Sequence, residues 1–244
     1  MGKKIGNLAK ALGINPSKIR YWDKRGLIRF DRTESNYRSF NFQTALDTCD
    51  VMFYRDLSIP ISTIQSLETN TNQEIAEILK NRKMELYKEI EFIERTVNKI
   101  DNRLIALSTF DHLKNKGLSE VSWKVPSFTS IDFNDSDLIQ RYIDDPNQSL
   151  IIRYSKDYTT IHHGLITNAY EVDQTDTFDE SMYIQGLYWE DTENGQSNFD
   201  EFIEYCENRG LVTGDFVAQY LTTSGKPQKI DYYIGRLKVL RSET

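Results

Sequence analysis

Cysteine is scarce in this chain: Cys49 and Cys206 are the only two in 244 residues. So low a count argues against a disulfide framework and fits a reducing compartment. With no thiol between positions 49 and 206, soft-metal coordination in the middle of the chain has no ligands. The three histidines are no better placed. His162 and His163 are neighbours, which a strand points to opposite faces, and His112 stands apart. No zinc spacing appears, and no metal or other cofactor is expected. No stretch approaches the roughly 18 apolar residues that cross a bilayer, and no apolar run precedes the first helix, so a cytoplasmic protein without membrane contact is expected. Glycine-rich phosphate loops and nucleophile elbows are also missing, which leaves an enzyme reading without catalytic residues to name.

Charge is present but unevenly spread. Residues 1–40 hold ten Lys/Arg against three Asp/Glu, a balance of +7 on a chain of net charge −7, so residues 41–244 carry fourteen net negative charges. A basic head on an acidic body points to a nucleic-acid site confined to the head. Within Ile5–Phe40, Leu8, Ala9, Leu12, Ile14 and Ile19 recur at helical spacing, broken by Gly13, as two short helices joined by a tight turn require. Asn15 is a good N-cap for the second helix, and Pro16 at its first position loses only an N–H that has no partner there. This helix runs to Lys24-Arg25 and stops at Gly26, with cations in its last turn. Its exposed face offers Ser17, Lys18, Tyr21, Lys24 and Arg25, the hydroxyl and cationic groups a major groove accepts. Leu27–Phe30 and Tyr37–Phe40 read as strands joined by a polar turn at Glu34-Ser35-Asn36. Arg32, Tyr37 and Arg38 of that hairpin can reach phosphates beside the groove. A small helical domain with a solvated basic face is the bland alternative; charge, turn, cap and hairpin together argue against it.

The run Ile19-Arg20-Tyr21-Trp22-Asp23-Lys24-Arg25-Gly26-Leu27-Ile28, then Arg32, then Tyr37-Arg38-Ser39-Phe40, resembles the winged-helix signature of the MerR family of transcriptional regulators. Trp22, Phe30, Asn36 and Phe40 stand where the family usually has a tyrosine, a proline, the wing-turn glycine and a last tyrosine. Asn tolerates the positive φ such a turn needs. The resemblance implies that Arg20, Tyr21, Tyr37 and Arg38 clamp the DNA backbone.

Phe42–Leu57 reads as a helix capped by Asn41, with Leu46, Cys49, Met52, Phe53 and Leu57 along its inward side. A short helix after Pro60 buries Ile61, Ile64 and Leu67. Asn72–Lys116 then contains neither proline nor glycine, and Leu86, Ile90, Ile93, Val97, Ile100, Leu104 and Leu107 recur at alternating steps of four and three. That is an a/d seam flanked by Lys, Glu and Arg. Ile75 and Leu79 extend its phase backwards, Arg82 interrupts it, and Gly117 ends the helix. Such a helix either packs on its own domain or pairs with a copy of itself. The strict 3.5 repeat and the family resemblance favour an antiparallel coiled-coil homodimer, whose two heads bind a palindrome at a spacing the rod fixes.

After Gly117 the pattern changes to short alternating strands. Trp123–Val125 and Phe128–Phe133 read as strand, and Asp135–Asp144 as a short helix burying Leu138, Tyr142 and Ile143. Ser149–Tyr154 and a segment around Tyr158–Tyr170 follow as strands. The order recurs as strand Met182–Glu190, helix Phe199–Asn208, strand Phe216–Leu221 and strand Tyr232–Leu240. Two βαββ units predict an antiparallel sheet with helices on one side. This duplicated unit resembles the gyrase-inhibitor-like ligand-binding domain of the multidrug-sensing MerR branch. The expected architecture is multi-domain, α and α+β: a winged helix-turn-helix over residues 1–71, a dimerisation helix over 72–117 and an α+β effector-binding domain over 118–244.

Aromatic residues crowd into that last part, and their faces grip flat hydrophobic or cationic molecules. Trp123, Tyr154, Tyr158, Tyr170, Tyr188, Tyr220 and Tyr233 are the candidate effector contacts, with Glu190 and Asp231 as the acids best placed to favour a cation. Sheet core and edge is the alternative use for each. The glutamate usual on the last strand of the resembled domain falls at Gly235 here. The resemblance implies a homodimeric regulator that distorts the spacer of a palindromic promoter so that RNA polymerase aligns with both of its elements. It also implies that transcription is activated when a small lipophilic effector, cationic or neutral, binds the C-terminal domain. Alternatives are a regulator with no small-molecule effector, constitutive or controlled by a protein partner, and a hydrolase-like activity that would leave head and rod unexplained.

Overall fold

The computed structural model describes residues 3–33, 37–167, 181–225 and 229–240. In chain order the elements are β1 (Lys3–Lys4), α1 (Ile5–Ala11), α2 (Pro16–Lys24), β2 (Asp31–Arg32), β3 (Arg38–Phe40), α3 (Phe42–Asp56), α4 (Ile61–Ser66), α5 (Asn72–Lys116), β4 (Ser119–Trp123), β5 (Phe128–Ser130), α6 (Ser136–Asp144), β6 (Ser149–Arg153), β7 (Ile161–Ile166), β8 (Ser181–Asp191), α7 (Phe199–Glu207), β9 (Val212–Ser224) and β10 (Ile230–Leu240). They divide into two compact units, residues 1–93 and 94–244.

In the first unit α2 starts where its cap dictates. Asn15 Oδ1 accepts from the Ser17 N–H at 2.9 Å, and Gly26 (φ +75°) stops the helix in a conformation costly for any residue with a Cβ. Ile19 and Trp22 turn inward onto Leu8, Ala9, Val51, Ile59 and Ile64. Leu27–Phe30 is not the strand expected from its apolar run. Leu27, Ile28 and Phe30 are buried loop residues that plug this core, and the hairpin pairs Asp31 with Ser39 and Arg32 with Arg38 instead. β1 adds a third strand, in the order β1-β3-β2. The expected turn at 34–36 lies outside the described residues.

The cap of α3 is also as expected, Asn41 Oδ1 accepting from the Thr44 N–H at 2.9 Å, but its inward face is not. Leu46, Cys49 and Phe53 are exposed, whereas Thr44, Thr48 and Val51 are buried. Thr48 Oγ1 donates to the Thr44 carbonyl at 2.7 Å, so its hydroxyl enters the core already satisfied. Cys49 is therefore a surface thiol rather than a core residue.

A reciprocal capping box opens α5, with the Thr71 N–H donating to Glu74 Oε2 at 2.6 Å and the Glu74 N–H to Thr71 Oγ1 at 3.3 Å. Ile78 and Leu79 pack on the core of the first unit. Arg82 breaks the apolar phase because it has another task. Its Nε donates to the Leu57 carbonyl at the end of α3, at 2.8 Å, and its Nη1 pairs with Glu85 and Glu89, each at 3.0 Å. The seam residues Leu86, Ile90, Ile93, Val97, Ile100, Leu104 and Leu107 are 37–58% exposed on the single chain.

The second unit is built on one antiparallel sheet, ordered β4-β8-β10-β9-β6-β7-β5. Alternation along the strands gives it two apolar faces. One buries Ile184, Tyr188, Phe216 and Leu237 under Phe199, Phe202 and Cys206 of α7. The other buries Leu221 and packs the half-buried Leu187 and Ile234 against Ala106, Phe110 and Leu113. Helical cover thus lies on both sides, because the later part of α5 takes the face α7 does not. Three expectations fail locally. Tyr142 and Ile143 are exposed and Leu138 is only half-buried, since α6 is held by polar contacts: Arg141 Nη2 to the Ile166 carbonyl at 3.1 Å and Lys99 to Asp144 at 2.9 Å. β4 begins at Ser119 and ends at Trp123, short of Val125. Tyr158 belongs to a turn, at φ +54°, before the strand begins at Ile161.

Candidate functional site

What α2 shows to solvent is what its packing leaves over. With Ile19 and Trp22 used inside, Ser17, Lys18, Arg20, Tyr21, Lys24 and Arg25 remain outside, all exposed. The Arg25 guanidinium lies 5.3 Å from the Tyr21 ring centroid. Ser17 is partly committed, its hydroxyl donating to Asn15 Oδ1 at 2.7 Å.

In the hairpin Arg32 and Arg38 stand directly opposite each other, a like-charge pair that destabilises a ladder unless something answers it. Asp23 of α2 does so. Arg38 Nε donates to Asp23 Oδ2 at 2.5 Å, and Arg32 Nη2 reaches the same oxygen at 3.4 Å. The Asp23 side chain is 13% exposed against 24% and 46% for the arginines, so one carboxylate fixes both guanidinia while they keep access to solvent. Tyr37 is well exposed; its N–H donates to Thr33 Oγ1 at 3.1 Å, and its carbonyl accepts from the Thr33 N–H at 2.9 Å. Seven of the eight expected contact residues are thus exposed, and Arg38 is half-buried. Asp23 is the participant that sequence reasoning passed over. The signal was an acid set among cations on a helix whose neighbouring strands also carry cations.

Residues 4–40 match the family model described as MerR family regulatory protein. They form a MerR-family helix-turn-helix domain. A Haemophilus influenzae protein described as an HTH-type transcriptional regulator ZntR homolog is 39% identical over 79 residues, which is 31% of this chain and 58% of that protein's length. Among solved structures, a MerR-family transcriptional regulator from Bacillus cereus is 17% identical with a TM-score of 0.39, over 48% of this chain and 87% of its own. The EcmrR–DNA complex in EcmrR-RPo is 12% identical with a TM-score of 0.38, over 98% of this chain and 100% of its own. Both structural likenesses are loose.

Outside the MerR head, in the unit of residues 94–244, the expected effector residues separate into groups. Register places Tyr188, Tyr233 and Tyr220 in one row on the α7 face, with Glu190 opposite Asp231 beside it. Tyr188 meets Tyr233 at 5.6 Å and Phe216 at 5.1 Å between ring centroids, and Tyr233 meets Tyr220 at 5.7 Å. Burial pushes the Tyr188 and Tyr233 hydroxyls above the ordinary tyrosine range, with Glu190 adding to the first and Asp231 to the second. Trp123 pairs with Ser181 and meets Tyr183 edge-on at 5.1 Å, so strand alternation sends it to the opposite face. Tyr154 is exposed against His162, and the Tyr158 hydroxyl donates to the Gly214 carbonyl at 2.7 Å. Neither is in the tyrosine row. Tyr170 lies outside the described residues.

Two findings change how the acids read. The Tyr188 hydroxyl donates to Glu190 Oε2 at 3.1 Å and accepts from Arg153 Nη2 at 2.9 Å; Arg153 Nη2 also lies 3.7 Å from Glu190 Oε1. Glu190 therefore already has a cation. Arg153 was findable, since it shares strand phase with inward Ile151. Asp231 accepts from Thr223 Oγ1, which also bonds the Tyr220 hydroxyl at 2.7 Å. At Gly235 a Cβ would lie 2.8 Å from Phe202 Cζ, 2.8 Å from Tyr188 Cβ and 3.0 Å from Phe216 Cζ. The space beside Gly235 is filled by the side chains of these three aromatic residues. Tyr220 also borders a cavity of about 290 Å³ lined by Lys99, Arg103, Tyr142, Asp144 and Asn147 among others. Among the described residues no helix is long and apolar enough to cross a membrane, and no three His, Cys, Asp or Glu gather as a metal site.

Proposed function

We propose that this chain is a MerR-type transcriptional regulator that binds double-stranded promoter DNA as a homodimer. The observation that carries the reading is the capped α2, with its cationic outer face joined through Asp23 to the two hairpin arginines. On a palindromic site each head lays α2 in a major groove, and the hairpin, acting as a wing, sets Tyr37 and Arg38 on phosphates. The unpartnered seam of α5 supports an antiparallel coiled coil between two copies, because seven apolar residues at heptad spacing stay solvent-exposed on one chain. Distortion of the promoter spacer, and activation through RNA polymerase, belong to the same reading.

The strand–helix–strand–strand order that occurs twice, β5-α6-β6-β7 and then β8-α7-β9-β10, supports a duplicated effector-binding domain. With Glu190 neutralised, its effector site lies beside Tyr220, Tyr142 and Asp231, and its ligand is lipophilic and need carry no full positive charge.

Measuring duplex affinity against salt tests the DNA role. Arg20→Ala and Arg38→Ala should weaken binding to all sequences alike and lower the salt slope by about one each. Loss confined to one sequence would contradict phosphate contacts. Ile93→Asp should give monomers in sedimentation; a persisting dimer would mean that the seam is not the interface.

A further inference from the structure

On the sheet face away from α7 sits an arginine for which the described chain supplies no acid. Arg236, on β10, is 8% exposed. Its Nε donates to Gln185 Oε1 at 2.9 Å, and its guanidinium carbon lies 4.2 Å from the Trp123 ring centroid; both partners are neutral. Its Nη1 is buried without a hydrogen-bond partner, and the ion pairs among the described residues do not include it. Burial lowers its pKa to about 10. Register sets Ser119, Gln185 and Arg236 side by side across β4, β8 and β10. Ser119 Oγ is likewise buried and unpartnered, so two of the three such atoms among the described residues fall in this one row.

A buried guanidinium facing nothing negative costs more than one neutral hydrogen bond and one ring contact return. A guanidinium N–H and a hydroxyl held out of water are the donors that bind a compact anion. A bridging water would satisfy the donors but leave the charge unanswered beside Trp123, Tyr183 and Val217.

We propose that the Ser119–Gln185–Arg236 row binds a compact monoanion, either the carboxylate of a small organic acid or a halide, flanked by the Trp123 and Tyr183 rings. The site lies on the opposite face from the Tyr188–Glu190 cluster, and it does not depend on the DNA-binding reading.

Bromide is the probe, because it is both an anomalous scatterer and an NMR nucleus. Crystals of the full chain soaked in sodium bromide should show an anomalous peak in contact with Arg236 Nη1. Water at that position, with bromide on the surface as an adventitious ion only, overturns the proposal. In solution the full chain should broaden the bromide resonance, and Arg236→Gln should lose most of that broadening while keeping the wild-type circular dichroism. Should that variant not fold, Ser119→Ala carries the same comparison with a several-fold smaller loss. Equal broadening by wild type and variant overturns the site. Suppression of the broadening by acetate assigns the site to carboxylates and its persistence assigns it to halides; either supports an anion site.

Discussion

The two units use charge in opposite ways. In residues 1–93 the ionic cluster is at the surface: Asp23 is small and central, and Arg32 and Arg38 around it stay open to solvent. In residues 94–244 the corresponding cluster is turned inward, with Arg153 at 12% and Glu190 at 15% exposure joined through Tyr188. An exposed pair contributes little to stability and leaves its cations free to be shared with a partner. An inward pair is tied to the fold, because removing one member strands the other out of water. The contrast teaches that abundance of charge does not locate a site. What locates it is whether the charge remains available.

The strongest way to break this comparison is at the inward unit. Gly235→Glu forces a side chain into space held by Phe202, Tyr188 and Phe216, and should destabilise the sheet unit by about 4 kcal/mol. Urea unfolding followed by Trp123 and Trp189 fluorescence in a Trp22→Phe background reads this directly. An unchanged midpoint would mean that the aromatics move aside and that position 235 can hold an acid after all. Next in size, Glu190→Ala should cost about 2 kcal/mol by leaving Arg153 unpaired, with duplex affinity unaffected. Smallest, Asp23→Asn should cost about 1 kcal/mol or less, yet weaken duplex binding by a few-fold through loss of the arginine orientation. If Asp23→Asn destabilised the chain more than Glu190→Ala did, the assignment of one cluster to binding and the other to folding would be reversed.

Much of the head could be read before any coordinates. Asn15, Pro16 and Gly26 each act within a few residues of where they stand, so cap, helix start and helix stop follow from local chemistry. Reading fails where a long-range partner changes a residue's meaning. Leu27–Phe30 looks like strand by composition but plugs a core assembled from α1, α2, α3 and α4. Thr44 and Thr48 look polar, but their hydroxyls donate to Asn41 Oδ1 and to the Thr44 carbonyl, which lets them stand inside while Leu46 and Phe53 face out. Glu190 looked like a ligand acid because Arg153, 37 positions earlier, meets it only once β6 and β8 share a sheet.

The amino-acid order alone determined the basic head, the Asn15 and Asn41 caps of α2 and α3, the uninterrupted α5 and the alternation of the C-terminal strands. These depend on backbone preferences and periodicity, which act over one or two turns. Tertiary structure decided which face of α3 is inside, which acid already has a cation, and why a Cβ at position 235 would collide with Phe202, Tyr188 and Phe216. Each of those outcomes turns on groups far apart in sequence that strand pairing or helix packing brings within a few ångströms.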